Sequence, residues 1–318
     1  MTVATFLLLP GLLLLILGAR FLVEGASSLA SRLGVRPGVI GLTVVAFGTS
    51  TPELLVNVSA AVNGASQIAF GNVVGSNIFN TGVILAVAAL VAPLSIDRRT
   101  TRFEVPLSLL AVLAVAASSL DTVLGDPGPN VIGRSEALLL LGFFLVFVGY
   151  TLSLLQEDPP ALTLSPASLT TPVALVASLG GLLLLFGGGE LTVRGASALA
   201  AGLGVSERII ALTIVSVGTS LPELVTSFVA ARRGENDLAV SNVVGSNIFN
   251  SFFILGTSAL ISPVTVESGA IIDLAALAIL SLLVFLFIFT GPGRRIGRWE
   301  AGALLAVYAG YLTLLIAG

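Results

Sequence analysis

Apolar residues run through this chain in blocks of about 20 or more, separated by short stretches that hold most of the charges. Blocks of that length suit α-helices crossing a hydrocarbon core roughly 30 Å thick, and the ten-residue alternation of transmembrane barrel strands is not seen. The pattern predicts an all-α integral membrane protein with ten spans. Helix 1 is expected over residues 2–33, long enough to tilt or to project past the bilayer. Helix 2 follows over residues 37–62, interrupted near Gly48 to Pro52. Helices 3, 4 and 5 take residues 67–91, 102–120 and 133–155, the third stopping at Pro93. Residues 156–171, with Glu157, Asp158, Pro159 and Pro160, form the one polar, Pro-rich linker. Helices 6 to 10 are expected over 172–203, 207–232, 238–261, 269–290 and 298–316.

The second half repeats the first in a constant register. Gly25-Ala-Ser27 returns as Gly195-Ala-Ser197, and Leu33-Gly-Val35 as Leu203-Gly-Val205. The nine residues from Asn72 to Asn80 return unchanged from Asn242 to Asn250, and Pro93 has a counterpart in Pro263. Each half holds five spans, an odd number, so the second must enter the membrane in the opposite sense. The expectation is one transporter domain made of two inverted repeats, 1–155 and 172–318, with 156–171 as a cytoplasmic linker. The arginines orient it. With both termini outside, inner loops hold Arg32, Arg36, Arg98, Arg99, Arg102, Arg232, Arg233, Arg294, Arg295 and Arg298, and outer loops only Arg134 and Arg208.

Composition then narrows the chemistry. With 56% hydrophobic and 10% charged residues and a mean hydropathy of +1.08, an ordinary soluble domain is excluded. Cys and His are both absent, so disulfides, thiol chemistry and the commonest proton shuttle and transition-metal ligand are excluded as well. Any metal ion must be held by oxygen. The net charge is −3 and every basic residue is a scattered Arg, which gives no footprint for nucleic acid. The first apolar run lacks a preceding basic residue and a following small-residue cleavage pattern, so a removed signal peptide is not expected.

Against this background two segments stand out, Gly48-Thr-Ser-Thr-Pro-Glu53 and Gly218-Thr-Ser-Leu-Pro-Glu223. Each puts a helix-breaking Gly, a Pro and a carboxylate inside a membrane span, where an ionisable side chain is costly and functional by default. Interrupted helices at matching places in inverted repeats point to a transporter with its site near the midplane. Backbone freed at that depth must line a cavity or be buried in protein. Thr49, Ser50, Thr219 and Ser220 add hydroxyls, and Glu53 and Glu223 two negative charges. An oxygen-only set with two carboxylates suits a hard cation such as calcium, which accepts about 6 to 8 oxygens in loose geometry. Ser76 with Asn80, and Ser246 with Asn250, are spaced i, i+4 and share a helix face, offering smaller donors beside the centre.

These residues resemble the α-repeats of the calcium/cation antiporter superfamily, in its prokaryotic sodium/calcium exchanger branch, over essentially the whole chain. The resemblance implies ten helices in inverted repeats and exchange of about three sodium ions for each calcium ion. It implies calcium ligands at Thr49, Glu53, Thr219 and Glu223, the threonines acting largely through backbone carbonyls. Sodium ligands are implied at Ala46, Ser50, Ser76, Ser216, Ser220 and Ser246, shared with Glu53 and Glu223. Asn80 and Asn250 take the remaining central positions. Some prokaryotic members carry Asp where Asn250 stands, so this centre has two formal charges. The implied cycle is competition of sodium and calcium for the two glutamates, with helices 1 and 6 sliding past the rest.

Blander roles compete with these. Glu53 and Glu223 could be protonated structural carboxylates, and the Ser and Asn residues interhelical glue. Gly71, Gly75 and Gly245 are expected to serve packing. Arg20 with Glu24 and Glu190 with Arg194 are expected as i, i+4 ion pairs. The Asn57-Val-Ser59 glycosylation pattern lies inside a span and is set aside. Proton/calcium exchange and potassium-dependent exchange are alternatives on the same fold. A channel, a rival of another class, would more naturally ring its ligands from several subunits. The expectation is an antiporter in the plasma (inner) membrane, acting as a monomer, with calcium, sodium and lipid as partners, no cofactor and no enzymatic activity.

Overall fold

The computed structural model of the protein describes residues 2–98, 100–125, 129–155, 168–202, 216–267, 269–289 and 294–317. Helix α1 is Thr2–Leu33, α2 is Pro37–Thr49 and α3 is Thr51–Val62. Next come α4 (Ile68–Val91), α5 (Thr100–Ser119), the single turn α6 (Asp121–Leu124) and α7 (Arg134–Leu154). The second half holds α8 (Thr171–Gly202), α9 (Ser216–Thr219), α10 (Leu221–Arg232), α11 (Asn236–Ile261), α12 (Ala270–Phe287) and α13 (Arg298–Ala317). Residues 207–215 of the expected seventh span, and 156–167 of the linker, lie outside the described residues.

Among the described residues the chain is all-helical apart from four two-residue strands, and seven helices are long and apolar enough to cross a membrane, or eight if α2 and α3 count as one bent span. Leu9, Leu13, Leu145, Val146, Val176 and Leu183 on α1, α7 and α8 are exposed, as side chains facing lipid would be. The centre is built from α4 and α11, the latter buried almost throughout.

Local chemistry repeats with the sequence. The turn from α3 to α4 passes through Gly64 at φ +74° and that from α10 to α11 through Gly234 at φ +78°, backbone that a side chain would strain. Ala92 before Pro93 and Ser262 before Pro263 are both extended, with φ −144°, because the proline ring crowds a helical predecessor.

Helices α1 and α8 pack antiparallel along their length through glycines. A Cβ on Gly18 would stand 2.8 Å from the Gly181 carbonyl, and one on Gly181 would stand 2.6 Å from the Leu22 nitrogen. Gly11 meets Gly188 in the same way one heptad on. Small residues let these backbones touch where lipid supplies no hydrophobic drive. Gly245 likewise admits the Leu42 carbonyl and the Ala46 Cβ, each 2.9 Å from where its own Cβ would sit. Gly71 faces open space, which corrects the packing role expected for it.

Strand β1 (Leu94–Ser95) pairs antiparallel with β4 (Arg295–Ile296), and β2 (Val131–Ile132) with β3 (Val264–Thr265). Helix α5 lies between β1 and β2 in the chain, so the two pairs tie loops at opposite ends of the bundle. Glu190 and Arg194 form their i, i+4 pair at 2.6 Å, well exposed. Glu24 does not face Arg20 as expected; it meets Arg233 at 3.4 Å, joining α1 to the end of α10.

Candidate functional site

Helix α2 ends at Thr49 and the chain bends by 44° before α3 begins. Ser50 occupies the bend at φ −83°, ψ 8°, and Ser220 takes the matching place before α10 at φ −90°, ψ 7°. This sparsely populated bridge region lets one residue redirect the chain without a loop. Pro52 and Pro222 then sit in the first turn of the new helix, where a missing N–H costs nothing. Glu53 and Glu223 follow in that same turn, both fully buried.

The two halves cross over at these carboxylates. Ser50 Oγ donates to Glu223 Oε1 at 2.9 Å, and Ser220 Oγ donates to Glu53 Oε1 at 2.9 Å. Thr219 lies beside Glu53, while Thr49 and Ser246 lie beside Glu223. Thr49 Oγ1 donates towards Asn242 Oδ1 at 3.3 Å, and Asn242 Nδ2 donates to Ser227 Oγ at 2.9 Å. The Ala46 carbonyl accepts from the Ser50 nitrogen at 3.0 Å. Ser216 opens α9, but its side chain lies outside the described residues.

A second reciprocal layer flanks the carboxylates. Asn80 Nδ2 donates to Asn247 Oδ1 at 3.0 Å, and Asn250 Nδ2 donates to Asn77 Oδ1 at 3.1 Å. Asn77 Nδ2 reaches Ser251 Oγ at 2.8 Å, and Asn247 Nδ2 reaches Thr81 Oγ1 at 2.9 Å. Each helix turns π-helical here, over Asn80–Ile84 in α4 and Phe249–Ile254 in α11. Such bulges often mark functional sites.

These bonds leave a particular remainder. Glu53 Oε2, Glu223 Oε2, Ser76 Oγ, Ser246 Oγ, Asn80 Oδ1 and Asn250 Oδ1 are buried without a hydrogen-bond partner among the described residues. All six are oxygens, in three pairs related by the repeat. Buried polar atoms are rarely left unpaired, and each unpaired one costs about 1–3 kcal/mol. The described ion pairs all lie elsewhere, so no guanidinium offsets the two carboxylates. Two buried carboxylates without a counter-charge require a cation or protons. The set of free oxygens is what a hard cation would complete.

The expected residues Ala46, Thr49, Ser50, Glu53, Ser76, Asn80, Thr219, Ser220, Glu223, Ser246 and Asn250 thus stand on the broken helices or on the two central spans that flank them. Asn77 and Asn247 carry the second layer and were not anticipated. Both lie inside the repeated nine-residue segment, three residues before Asn80 and Asn250, and that shared face was the available signal.

A family model described as "Sodium/calcium exchanger protein" matches residues 3–153 and 173–317. The putative antiporter CaxA of Alkalimonas amylolytica is 39% identical, over 99% of this chain and 99% of that protein. The sodium/calcium exchanger MaX1 of Methanosarcina acetivorans is 34% identical over the same shares. Among solved structures, the sodium-calcium exchanger NCX_Mj soaked with sodium and no calcium superposes with a TM-score of 0.85 at 31% identity, covering 98% of each chain.

Proposed function

The chain belongs to the sodium/calcium exchanger family of membrane transporters, and from that premise we propose that it is a secondary antiporter exchanging sodium for calcium across the plasma (inner) membrane. The observation that carries this reading is the set of six partnerless buried oxygens around Glu53 and Glu223. One calcium ion neutralises the two carboxylates and accepts further oxygens from Thr49 and Thr219. Sodium ions, about three per calcium, take Ala46, Ser50 and Ser76 on one side and Ser216, Ser220 and Ser246 on the other, sharing the glutamates. Both sets need the same two charges, so they compete.

Ten spans in two inverted repeats, 1–155 and 172–318, complete the proposal. The strand pairs support it: β1 and β3 occupy equivalent places in the two halves, yet lie at opposite ends of the bundle. Both termini are placed outside. Alternating access follows if α1 and α8, packed glycine to glycine, slide as one unit past the broken helices. An empty site carries two bare charges and is costly to move through the apolar barrier, which couples the two fluxes.

The test is calcium uptake into proteoliposomes under an imposed sodium gradient. Uptake should follow the sodium gradient and respond to membrane voltage, and Glu53→Gln or Glu223→Gln should abolish it while the protein elutes as a folded species. Uptake that ignores sodium and follows a pH gradient would overturn the sodium assignment; near-normal flux in either variant would remove that residue from the site.

A further inference from the structure

The duplicated centre does not use every buried acid. Where α2, α5 and α11 begin and α7 ends, a cavity of about 20 Å³ is lined by Asp97, Glu104 and Asp237 together with Arg36 and Ser241. That is room for one water molecule or a small ion. Arg36 pairs with Asp97. Glu104 is 5% exposed and accepts from the Tyr150 hydroxyl at 3.3 Å through Oε1, but its Oε2 is buried without a partner. Ser241, 1% exposed, leaves its Oγ equally unsatisfied. The Asp237 carboxylate presses on α2, with Oδ2 2.6 Å from where a Cβ on Gly38 would sit. Arg98 and Arg102 border the neighbouring cavity and not this one.

Among the described residues the guanidinium that lines the cavity is paired with Asp97, and Glu104 and Asp237 stand in no described ion pair, next to two partnerless oxygens. Asp97 and Asp237 are half-buried, but Glu104 is buried, and a charge held there is expensive unless something neutralises it. The repeat register shows that the cluster is not part of the duplicated machinery. Asp97 corresponds to Glu267 and keeps its carboxylate, but Asp237 corresponds to Gln67, Glu104 to Leu274, Ser241 to Gly71 and Arg36 to Ser206, so the related place in the other half carries only one of these five groups. The cavity also sits at the starts of α2 and α11, two of the helices that supply the central site. From Ser241 to Ser246 is a rise of roughly 7.5 Å along α11, and Gly245 closes that interval against Leu42 and Ala46.

We propose that this cavity is a second cation site, one-sided and separate from the Glu53 and Glu223 centre, which binds a divalent cation such as calcium at the end of the bundle that the proposed topology places inside. No three acidic side chains among the described residues converge on one point. The ion is therefore held by few direct ligands and binds weakly, in the range of about 10⁻⁴ to 10⁻³ M typical of low-affinity calcium sites. Binding here does not depend on which ions the centre exchanges; only the role as an antechamber for cargo rests on the transport reading.

The test is equilibrium binding of radioactive calcium to the purified full-length Glu53→Gln/Glu223→Gln variant. One weak site per chain should remain. Adding Asp237→Gln or Glu104→Leu, the residues found at the repeat-related positions, should weaken it at least about tenfold, a change of roughly 1.4 kcal/mol. In the otherwise native chain, Asp237→Gln should raise the calcium concentration for half-maximal flux from the inner side while sparing the rate at saturation. Absence of residual calcium binding in a folded central-site variant overturns the proposal, as does residual binding that both added substitutions leave unchanged. If instead Glu53→Gln/Glu223→Gln keeps sodium-driven flux, the reading of the centre fails, and the cavity is judged on binding to the Asp237→Gln and Glu104→Leu chains alone.

Discussion

Replacing Asn250 by Asp tests the central layer more sharply than removing a carboxylate. Asn250 Nδ2 donates to Asn77 Oδ1 at 3.1 Å, and Asn77 cannot simply turn its amide over, because Nδ2 is held by Ser251 Oγ at 2.8 Å and lies 3.3 Å from the Asn247 carbonyl. An ionised carboxyl at position 250 would set acceptor against acceptor in a fully buried place. The cost is one lost buried hydrogen bond with its partner left unsatisfied, about 1–3 kcal/mol. At roughly 2–4 °C per kcal/mol, the melting temperature without calcium should fall by several degrees. Calcium should restore more stability to Asn250→Asp than to the native chain, because the cation meets a third negative charge. A protonated carboxyl donates to Asn77 Oδ1 and reproduces the native bond, so the variant should approach native behaviour in mildly acidic buffer and depart from it in alkaline buffer. The assays are thermal melts with and without calcium, and sodium-driven calcium uptake across that pH range. Stability and sodium dependence identical to the native chain at every pH would refute the reasoning and show that Asn77 does not face a donor at position 250.

Ser50→Ala and Ser220→Ala each remove a hydrogen bond to a buried carboxylate, worth about 1.5–3 kcal/mol, so each should weaken ion binding roughly ten- to hundredfold. Because the bonds are reciprocal at 2.9 Å, the two losses should match in sodium titrations of calcium uptake, and a large effect in only one half would break the crossed arrangement. Gly181→Ala forces a Cβ to 2.6 Å from the Leu22 nitrogen and should lower both melting temperature and flux, whereas Gly71→Ala meets nothing within 4 Å and should leave both near native. Equal tolerance of the two in thermal melts would argue against a tight α1–α8 contact.

Much of this protein was legible as a string. Eight of the ten expected span positions agree to within a few residues with described helices long and apolar enough to cross, because the cost of burying unpaired backbone in lipid makes long apolar blocks read as helices. The duplication picked out polar residues that the fold buries, since Glu53, Glu223, Ser76, Ser246, Asn80 and Asn250 are all buried. Periodicity reports which residues share a face of one helix, and it stops there. It did not say that Ser50 serves Glu223 and not the Glu53 three residues away, nor that Asn77 and Asn247 lock the two halves together. It paired Glu24 with Arg20, whereas the bundle gives Glu24 to Arg233. Asp97, Glu104 and Asp237 share no local pattern, and only three separate helix starts bring them around one cavity. The sequence by itself determined which groups must be buried and which are doubled. Only the tertiary structure decided which partner each group meets, because those partners lie up to 209 residues apart in the chain and are brought together by packing that no local pattern encodes.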